Sequence, residues 1–148
     1  MKNKTSKILV DICMTIFLIL SFLRWEESNF LFHAIVGTVC TLFFALHICI
    51  HRKWLKIVTK SFLEGKIKKS IRWKYAVDIL LIAIWGTSIT TGFLAIGYFS
   101  AGIESMVVFS RLHGITARVG VALVVIHVVQ HLPQIRSYLK GKKEIPAE

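Results

Sequence analysis

The sequence HAIVGTVCTLFFALHICIH, residues 33–51, places three histidines in an otherwise apolar segment. The same histidine spacing returns 80 residues later in HGITARVGVALVVIHVVQH, residues 113–131. The two triplets, which are all the histidines of the chain, are His33, His47, His51, His113, His127 and His131. Ionisable side chains are rare in lipid and tend to be functional there, so the repeat predicts two equivalent helices that carry a site.

The composition indicates a membrane protein. Hydrophobic residues make up 55% of the 148 residues, which exceeds the share expected for an ordinary soluble domain. The formal net charge of +11 comes from basic residues between and beyond the apolar segments, rather than along one folded face. This distribution is typical of positive-inside topology, so we expect lipid as the surrounding medium and no nucleic-acid partner.

Four apolar segments predict four membrane spans. At about 1.5 Å per residue, roughly 20 helical residues cross a hydrocarbon core of about 30 Å. Arg24 follows the first segment where a cleaved signal peptide would have small residues, so we expect a retained span. The sequence therefore predicts an all-α integral membrane four-helix bundle, up-down-up-down, within a single transmembrane domain, 1–148. The predicted spans are 8–23, 30–51, 75–96 and 106–132.

The segment between spans two and three, residues 52–74, contains nine Lys or Arg residues and only one acid, Glu64. Apolar residues interleaved at helical spacing predict a basic amphipathic stretch on an anionic lipid surface, with a solvated loop as the alternative. Three further basic residues precede span one and four follow span four, out of 19 in the chain. We therefore expect a multi-pass protein of the cell membrane with this segment and both termini in the cytoplasm.

Topology pairs the histidines by depth. Spans two and four cross the membrane in the same direction, because a single span separates them. Fourteen residues at about 100° each return to within about 40° of the starting face, and eighteen return almost fully, so each helix presents its imidazoles on one side. The expected pairs are His33 with His113, His47 with His127, and His51 with His131.

Imidazole is a good axial ligand of haem iron, and one histidine from each of two helices can hold the macrocycle between them. A separation of fourteen residues gives about 21 Å, which accommodates two haems within the core, whereas eighteen gives about 27 Å. The predicted ligands of two haems are His33, His47, His113 and His127. His51 and His131 are expected near a haem propionate or a quinone pocket. Their use as the inner ligands instead is the alternative.

Other residues refine this prediction. The haem is expected to be b-type, because the C-x-x-C-H motif of covalent attachment does not occur. Gly37 lies four residues after His33 and Gly120 seven after His113, where small residues allow close approach of a macrocycle or, alternatively, of another helix. Arg118 is a candidate partner of a propionate, with snorkelling toward the surface as the equal alternative.

Two acids lie near the cytoplasmic ends of spans one and three, Asp11 and Asp78. We expect interfacial acids without a role, with proton relay to a quinone as the alternative. The competing functions are a purely structural role of the histidines and a metal site or histidine-lined metal transporter without haem. We disfavour the metal site because metal paths such as those of zinc tend to recruit carboxylates or cysteines beside the histidines, and neither acid lies on a histidine-bearing helix.

Two short motifs surround the histidines. They are His47-x3-His51-x2-Trp54 and Leu112-His113-Gly114 followed by His127-x3-His131. In a four-span chain of this length they resemble the flavinylation-associated cytochrome family of small bacterial membrane proteins. The histidine pairs are also similar to those of the membrane domains of respiratory cytochrome b, ferric reductases and NADPH oxidases. The resemblance implies electron transfer across the membrane, toward extracytoplasmic flavoproteins that carry covalently attached FMN.

The function expected from the sequence is that of a di-haem cytochrome b. It would carry electrons from a quinol or another cytoplasmic-side donor to an extracytoplasmic acceptor such as a flavoprotein. The sequence contains neither a dinucleotide-binding fingerprint nor a phosphate-binding loop, so oxidation of NADH without a partner is not expected. A membrane anchor or quinone-reactive subunit of a larger oxidoreductase is the alternative.

Overall fold

The computed structural model describes residues 4–22, 30–101 and 106–139, and every regular element in these ranges is an α-helix. The helices are α1 (Lys4–Phe22), α2 (Phe30–Leu63), α3 (Lys69–Ser100) and α4 (Met106–Leu139). Each predicted span corresponds to one of these helices, although the predicted end of span one at residue 23 lies outside the described ranges. Within these described ranges, the prediction of an all-α fold with four helices is confirmed.

The basic segment 52–74 is helical over most of its length, so the alternative of a solvated loop does not describe it. α2 continues to Leu63 and α3 already begins at Lys69. Lysine, arginine and leucine all favour helix, and no glycine or proline interrupts α2 after the apolar stretch. The helix ends where Gly65 adopts a φ of 69°, a left-handed conformation that glycine reaches without a steric penalty.

α4 also extends beyond its predicted end. The sequence suggests that Pro133 terminates the fourth span, yet the helix continues to Leu139 with this proline inside it. Proline lacks a backbone N–H, so a helix that contains it loses one hydrogen bond to the residue four positions earlier. The apolar stretch defines the expected span, whereas the helix itself continues into the polar residues that follow.

The chain forms two helical hairpins. Hairpin 1 pairs α1 with α2 in the unit Met1–Glu64, and hairpin 2 pairs α3 with α4 in the unit Gly65–Glu148. In hairpin 1, residue 21 contacts residue 33 and residue 11 contacts residue 47, so the two helices are antiparallel. In hairpin 2 the corresponding contacts join residue 88 to 113 and residue 78 to 127, which gives the same arrangement.

Small residues let the helices of each hairpin approach closely. A side chain at Gly120 on α4 would come within 3.2 Å of Nε1 of Trp85 on α3. The equivalent position of α2 is Cys40, which is buried and whose thiol donates to the carbonyl oxygen of Met14 on α1 at 3.8 Å. The indole of Trp85 packs against Gly120, which fits the alternative of helix packing, and a role of this glycine beside a cofactor stays a prediction.

The outer faces of the hairpins are apolar. Leu31, Leu42 and Val108 are 71%, 61% and 60% exposed, and many other large aliphatic and aromatic side chains are exposed with them. Helices α2, α3 and α4 are each long and apolar enough to cross a membrane. The 19 residues of α1 form the shortest helix, and its crossing of a membrane stays a prediction.

We predict that Gly120→Val destabilises the protein relative to Gly86→Val, measured as the thermal unfolding midpoint in mild detergent. Both substitutions have the same intrinsic effect on helix formation, so their difference reports packing. A side chain at Gly120 meets Trp85 whereas one at Gly86 has nothing within 4 Å, and overpacking costs about 1–3 kcal/mol. Equal midpoints for the two variants would contradict the close contact between α3 and α4.

Candidate functional site

The first part of the site is an acid and a histidine in hairpin 1. Asp11 of α1 and His47 of α2 lie on facing sides of the antiparallel pair, and their Oδ1 and Nδ1 atoms are 2.7 Å apart. A carboxylate only accepts hydrogen bonds, so the Nδ1–H of the imidazole is the donor. The Asp11 side chain is 45% exposed and that of His47 is 20% exposed. The pair therefore lies at the edge of the helix contact.

Hairpin 2 contains the same pair. Nδ1 of His127 on α4 donates to Oδ1 of Asp78 on α3 across 2.7 Å. Here the carboxylate is better enclosed, since the Asp78 side chain is 11% exposed. A hydrogen bond to an ionised group is about twice as strong as one between neutral groups. Burial strengthens it further, because less water competes for the donor and the acceptor. The contact therefore holds the orientation of the His127 ring.

The other histidine of each predicted ligand pair donates to a backbone carbonyl. Nδ1 of His33 lies 3.0 Å from the carbonyl oxygen of Ser21, and Nδ1 of His113 lies 2.8 Å from that of Ser88. Both serines are buried on the first helix of their hairpin. The hydroxyl oxygen of Ser88 also lies near this ring, 3.3 Å from Nδ1 of His113. In each hairpin, therefore, one helix orients two imidazoles of the other.

Gly92 of α3 makes room for the His113 ring. A Cβ at this position would lie 3.0 Å from Nδ1 and 3.1 Å from Cε1 of the imidazole. Contacts this short are rarely found for real Cβ atoms, so a larger residue would require the His113 ring to shift by a few tenths of an ångström. Gly92 is a site residue that the sequence reasoning missed, because nothing along the chain reveals which histidine a glycine on another helix faces.

The acceptors belong to a sequence repeat that was also missed. Residues 7–21 and 74–88 share the pattern K-x2-V-D-I-x8-S, in which the aspartate and serine are the two acceptors. The acceptor pattern repeats after 67 residues, whereas the histidines repeat after 80. Because the two offsets differ, the acceptor pattern is not apparent when the two halves are aligned on their histidines. The two hairpins thus repeat one arrangement of donors and acceptors.

The two aspartates require a correction. The sequence predicts Asp11 and Asp78 as interfacial acids without a role, yet each accepts a hydrogen bond from a predicted ligand histidine. Neither aspartate lies on a histidine-bearing helix, yet each is beside a histidine in space. Antiparallel packing brings residues that are distant along the chain to the same height, so a carboxylate on one helix lies beside an imidazole on the next.

The third histidine of each triplet lies one turn beyond the second. The ring centroids of His47 and His51 are 4.6 Å apart, as are those of His127 and His131. With the carboxylates they form two groups whose possible ligand atoms all lie within 4.8 Å of one another. These groups are Asp11, His47 and His51 in hairpin 1, and Asp78, His127 and His131 in hairpin 2.

The remaining candidates have less defined surroundings. A Cβ at Gly37 would meet nothing within 4 Å, so this face of α2 is open inside the described structure. Arg118 is exposed on α4. The predicted pairing of twin histidines joins residues of different hairpins, and it stays a prediction.

The hydrogen bonds determine which ring nitrogen can bind a metal. A carbonyl or carboxylate oxygen requires a proton on Nδ1, and a neutral imidazole with this proton carries its lone pair on Nε2. The four histidines in this state are His33, His47, His113 and His127. Metal-binding histidines commonly donate their other ring N–H to a carboxylate or a backbone carbonyl, which orients the ring and raises its basicity. The same partners are present here.

Comparison of the chain with protein-family models, with curated proteins and with solved structures finds no match in any of the three. The function is therefore inferred from the geometry of the site and from the sequence motifs.

We predict the Nδ1–H tautomer for these four histidines in the protein without added cofactor or metal. Side-chain ¹⁵N NMR at alkaline pH, where imidazole is neutral, should give a protonated-type resonance for Nδ1 and an unprotonated-type resonance for Nε2. Free histidine favours the opposite tautomer, so the result reports the hydrogen bonds. Nε2–H resonances at His47 and His127 would contradict the contacts with the aspartates.

Proposed function

We propose that the protein is a di-haem b-type cytochrome of the cell membrane. It carries electrons between a quinol or other cytoplasmic-side donor and an extracytoplasmic acceptor, for which a flavoprotein is the best candidate by resemblance. The observation that carries the proposal is the repeated hydrogen bond from histidine Nδ1 to an acceptor on the preceding helix, made by two histidines in each hairpin.

Membrane insertion is supported by the apolar outer surface and by three helices of sufficient length. A water-soluble protein rarely exposes contiguous apolar area on this scale. α1 is the proposed fourth crossing. The distribution of Lys and Arg supports cytoplasmic termini, because 16 of the 19 lie in the amino-terminal tail, segment 52–74 and the carboxyl tail.

The residues fit haem as the cofactor. Haem iron takes an axial imidazole nitrogen on each face of the macrocycle and exchanges one electron reversibly. His33, His47, His113 and His127 each have a ring whose Nδ1–H is engaged by the neighbouring helix, which leaves Nε2 as the nitrogen with the lone pair. Fourteen residues separate the two such histidines on each of α2 and α4, so they supply ligands at two levels about 21 Å apart.

The hydrogen bonds favour His47 and His127 as the inner ligands. Each has its ring orientation set by a carboxylate at 2.7 Å, as expected for an axial ligand. His51 and His131 lie one turn further toward the basic end of their helices, where they would meet a propionate or a quinone headgroup. Arg118 is proposed as a propionate partner, and Gly37 as a position of close approach.

A second function is favoured by the Asp–His–His groups. Two histidines four residues apart and a carboxylate can hold a divalent transition metal, and each hairpin contains this set. However, Nδ1 of His47 donates to Asp11, and Nδ1 of His127 donates to Asp78. In either pair, the carboxylate and Nδ1 can bind the same ion only if this hydrogen bond breaks. The present geometry therefore suits coordination through Nε2, with the carboxylate as the outer partner.

We predict that the purified protein carries two haem b per chain, with a sharp α-band after reduction by dithionite. His47→Ala should lose one of the two haems, because a bis-histidine site loses an axial ligand. His51→Ala is the matched control on the same helix and should retain both. Haem content is measured by the pyridine haemochrome assay against protein concentration.

Absence of an α-band, together with tight binding of a divalent metal, would reject the cytochrome and favour the metal site. One haem per wild-type chain would reject the two-level arrangement. Loss of haem in His51→Ala but not in His47→Ala would show that His51 and His131, rather than His47 and His127, are the ligands of the inner haem.

We predict cytoplasmic termini, tested with reporter fusions. Green fluorescent protein after residue 148 should fluoresce and alkaline phosphatase there should be inactive, because the positive-inside distribution keeps this end in the cytoplasm. A fusion after Ala101, between the third and fourth predicted spans, should give the opposite result. Active phosphatase at residue 148 would contradict the topology.

A further inference from the structure

The acceptor behind the histidines differs between the two ligand levels. At one level, defined by His47 and His127 and here termed the carboxylate level, Nδ1 donates to an aspartate. At the other, defined by His33 and His113 and termed the carbonyl level, it donates to a serine backbone oxygen. Both hairpins have the same order, so both axial ligands of one proposed haem share one kind of acceptor.

We propose that this difference gives the two haems different reduction potentials. The haem at the carboxylate level would have the lower potential. The inference rests on the proposed function, since it needs haem at both levels. Asp11 and Asp78 are thereby positioning residues that act through their histidines. They would bias electron flow from the carboxylate level toward the carbonyl level.

The physical reason lies in the charge of the acceptor. A carboxylate has a full negative charge and forms the shorter contact, 2.7 Å in both hairpins, against 2.8 and 3.0 Å to the carbonyl oxygens. It polarises the Nδ1–H bond and would increase electron donation from Nε2 to a bound iron. Greater donation and the nearby negative charge would stabilise the oxidised form of that iron and so lower its reduction potential.

Positive charges near the carboxylate level would raise the reduction potential of the haem there, which opposes the effect of the aspartates. Arg52 and Lys53 follow His51 on α2 and would raise the potential of the nearer haem. They are exposed, so solvent and salt screen them, whereas each aspartate is one hydrogen bond from a ligand ring. Arg118 is five residues from His113 and nine from His127. It is exposed as well, so its charge is screened in the same way and the proposed difference is assigned to the aspartates alone.

The order of potentials gives a direction. The carboxylate level lies toward the ends of α2 and α4 that are predicted to be cytoplasmic, and the carbonyl level toward the outer surface. A quinol that becomes a quinone would release two protons to the cytoplasmic side and pass its two electrons, one at a time, to the carboxylate level. The electrons would move on to the carbonyl level and then to an oxidised flavin of the acceptor. That flavin would take up two electrons, together with two protons from the outer side, to become the reduced flavin.

The test is a potentiometric titration of the α-band in the haem-loaded full chain. Asp78→Asn and Asp11→Asn replace the carboxylate by an amide oxygen, which accepts a hydrogen bond like the carbonyl of the other level but has no charge. We expect the lower midpoint to shift upward toward the higher one, and the higher midpoint to stay. The shift should be larger in Asp78→Asn, whose carboxylate is 11% exposed against 45% for Asp11.

Glu64→Gln is the matched control, since it removes one carboxylate charge on the segment that follows α2, beside Lys60 rather than a histidine. Its two midpoints should equal those of the wild type. Unshifted midpoints in both aspartate variants, a shift of the higher midpoint, or an equal shift in the control would each overturn the inference. If Asp78→Asn loses a haem, Asp11→Asn carries the test. A wild-type chain without haem would overturn the proposed function itself, and the inference with it.

Discussion

In both hairpins an imidazole Nδ1–H on the second helix donates to an acceptor on the first, and the candidate site depends on this hydrogen bond. It relates the register of the antiparallel helices to the orientation of the ring, and it leaves the lone pair of the neutral imidazole on Nε2. An unoriented histidine in an apolar helix could turn its ring toward several partners. Here Asp11 and Asp78 remove that freedom at one level, and Ser21 and Ser88 at the other.

The chain contains this arrangement twice. The acceptor helices share the pattern K-x2-V-D-I-x8-S, and the histidine helices share their triplet spacing. The difference between the two offsets, 67 and 80 residues, means that hairpin 2 has a longer connection between its acceptors and its donors. Burial differs too, since Asp78 is enclosed where Asp11 is half exposed. Two hairpins of one design thus give similar but non-identical surroundings for the proposed ligands.

Hydropathy is sufficient to predict the four helices, because it is a local signal along the chain. Histidine periodicity is local as well and selects the candidate ligands, whose binding of haem stays a prediction. Helix ends were predicted less well. The apolar stretch marks where lipid contact would stop, whereas the backbone of α2 continues through residues that favour helix until Gly65. The partners of the histidines depend on which residues face each other across a hairpin. That register is not a local property, so the aspartates, Gly92 and the contact of Gly120 with Trp85 became evident only in three dimensions.

We propose that the oriented histidines bind haem iron in pairs, through Nε2, at two levels. Low-temperature EPR of the oxidised, purified protein distinguishes ferric haem by its axial ligands and therefore tests this ligation. We expect two low-spin signals of bis-imidazole ligation, with no high-spin haem in the native chain. A high-spin signal, a single low-spin species at full loading, or a signal only from a non-haem metal would contradict it.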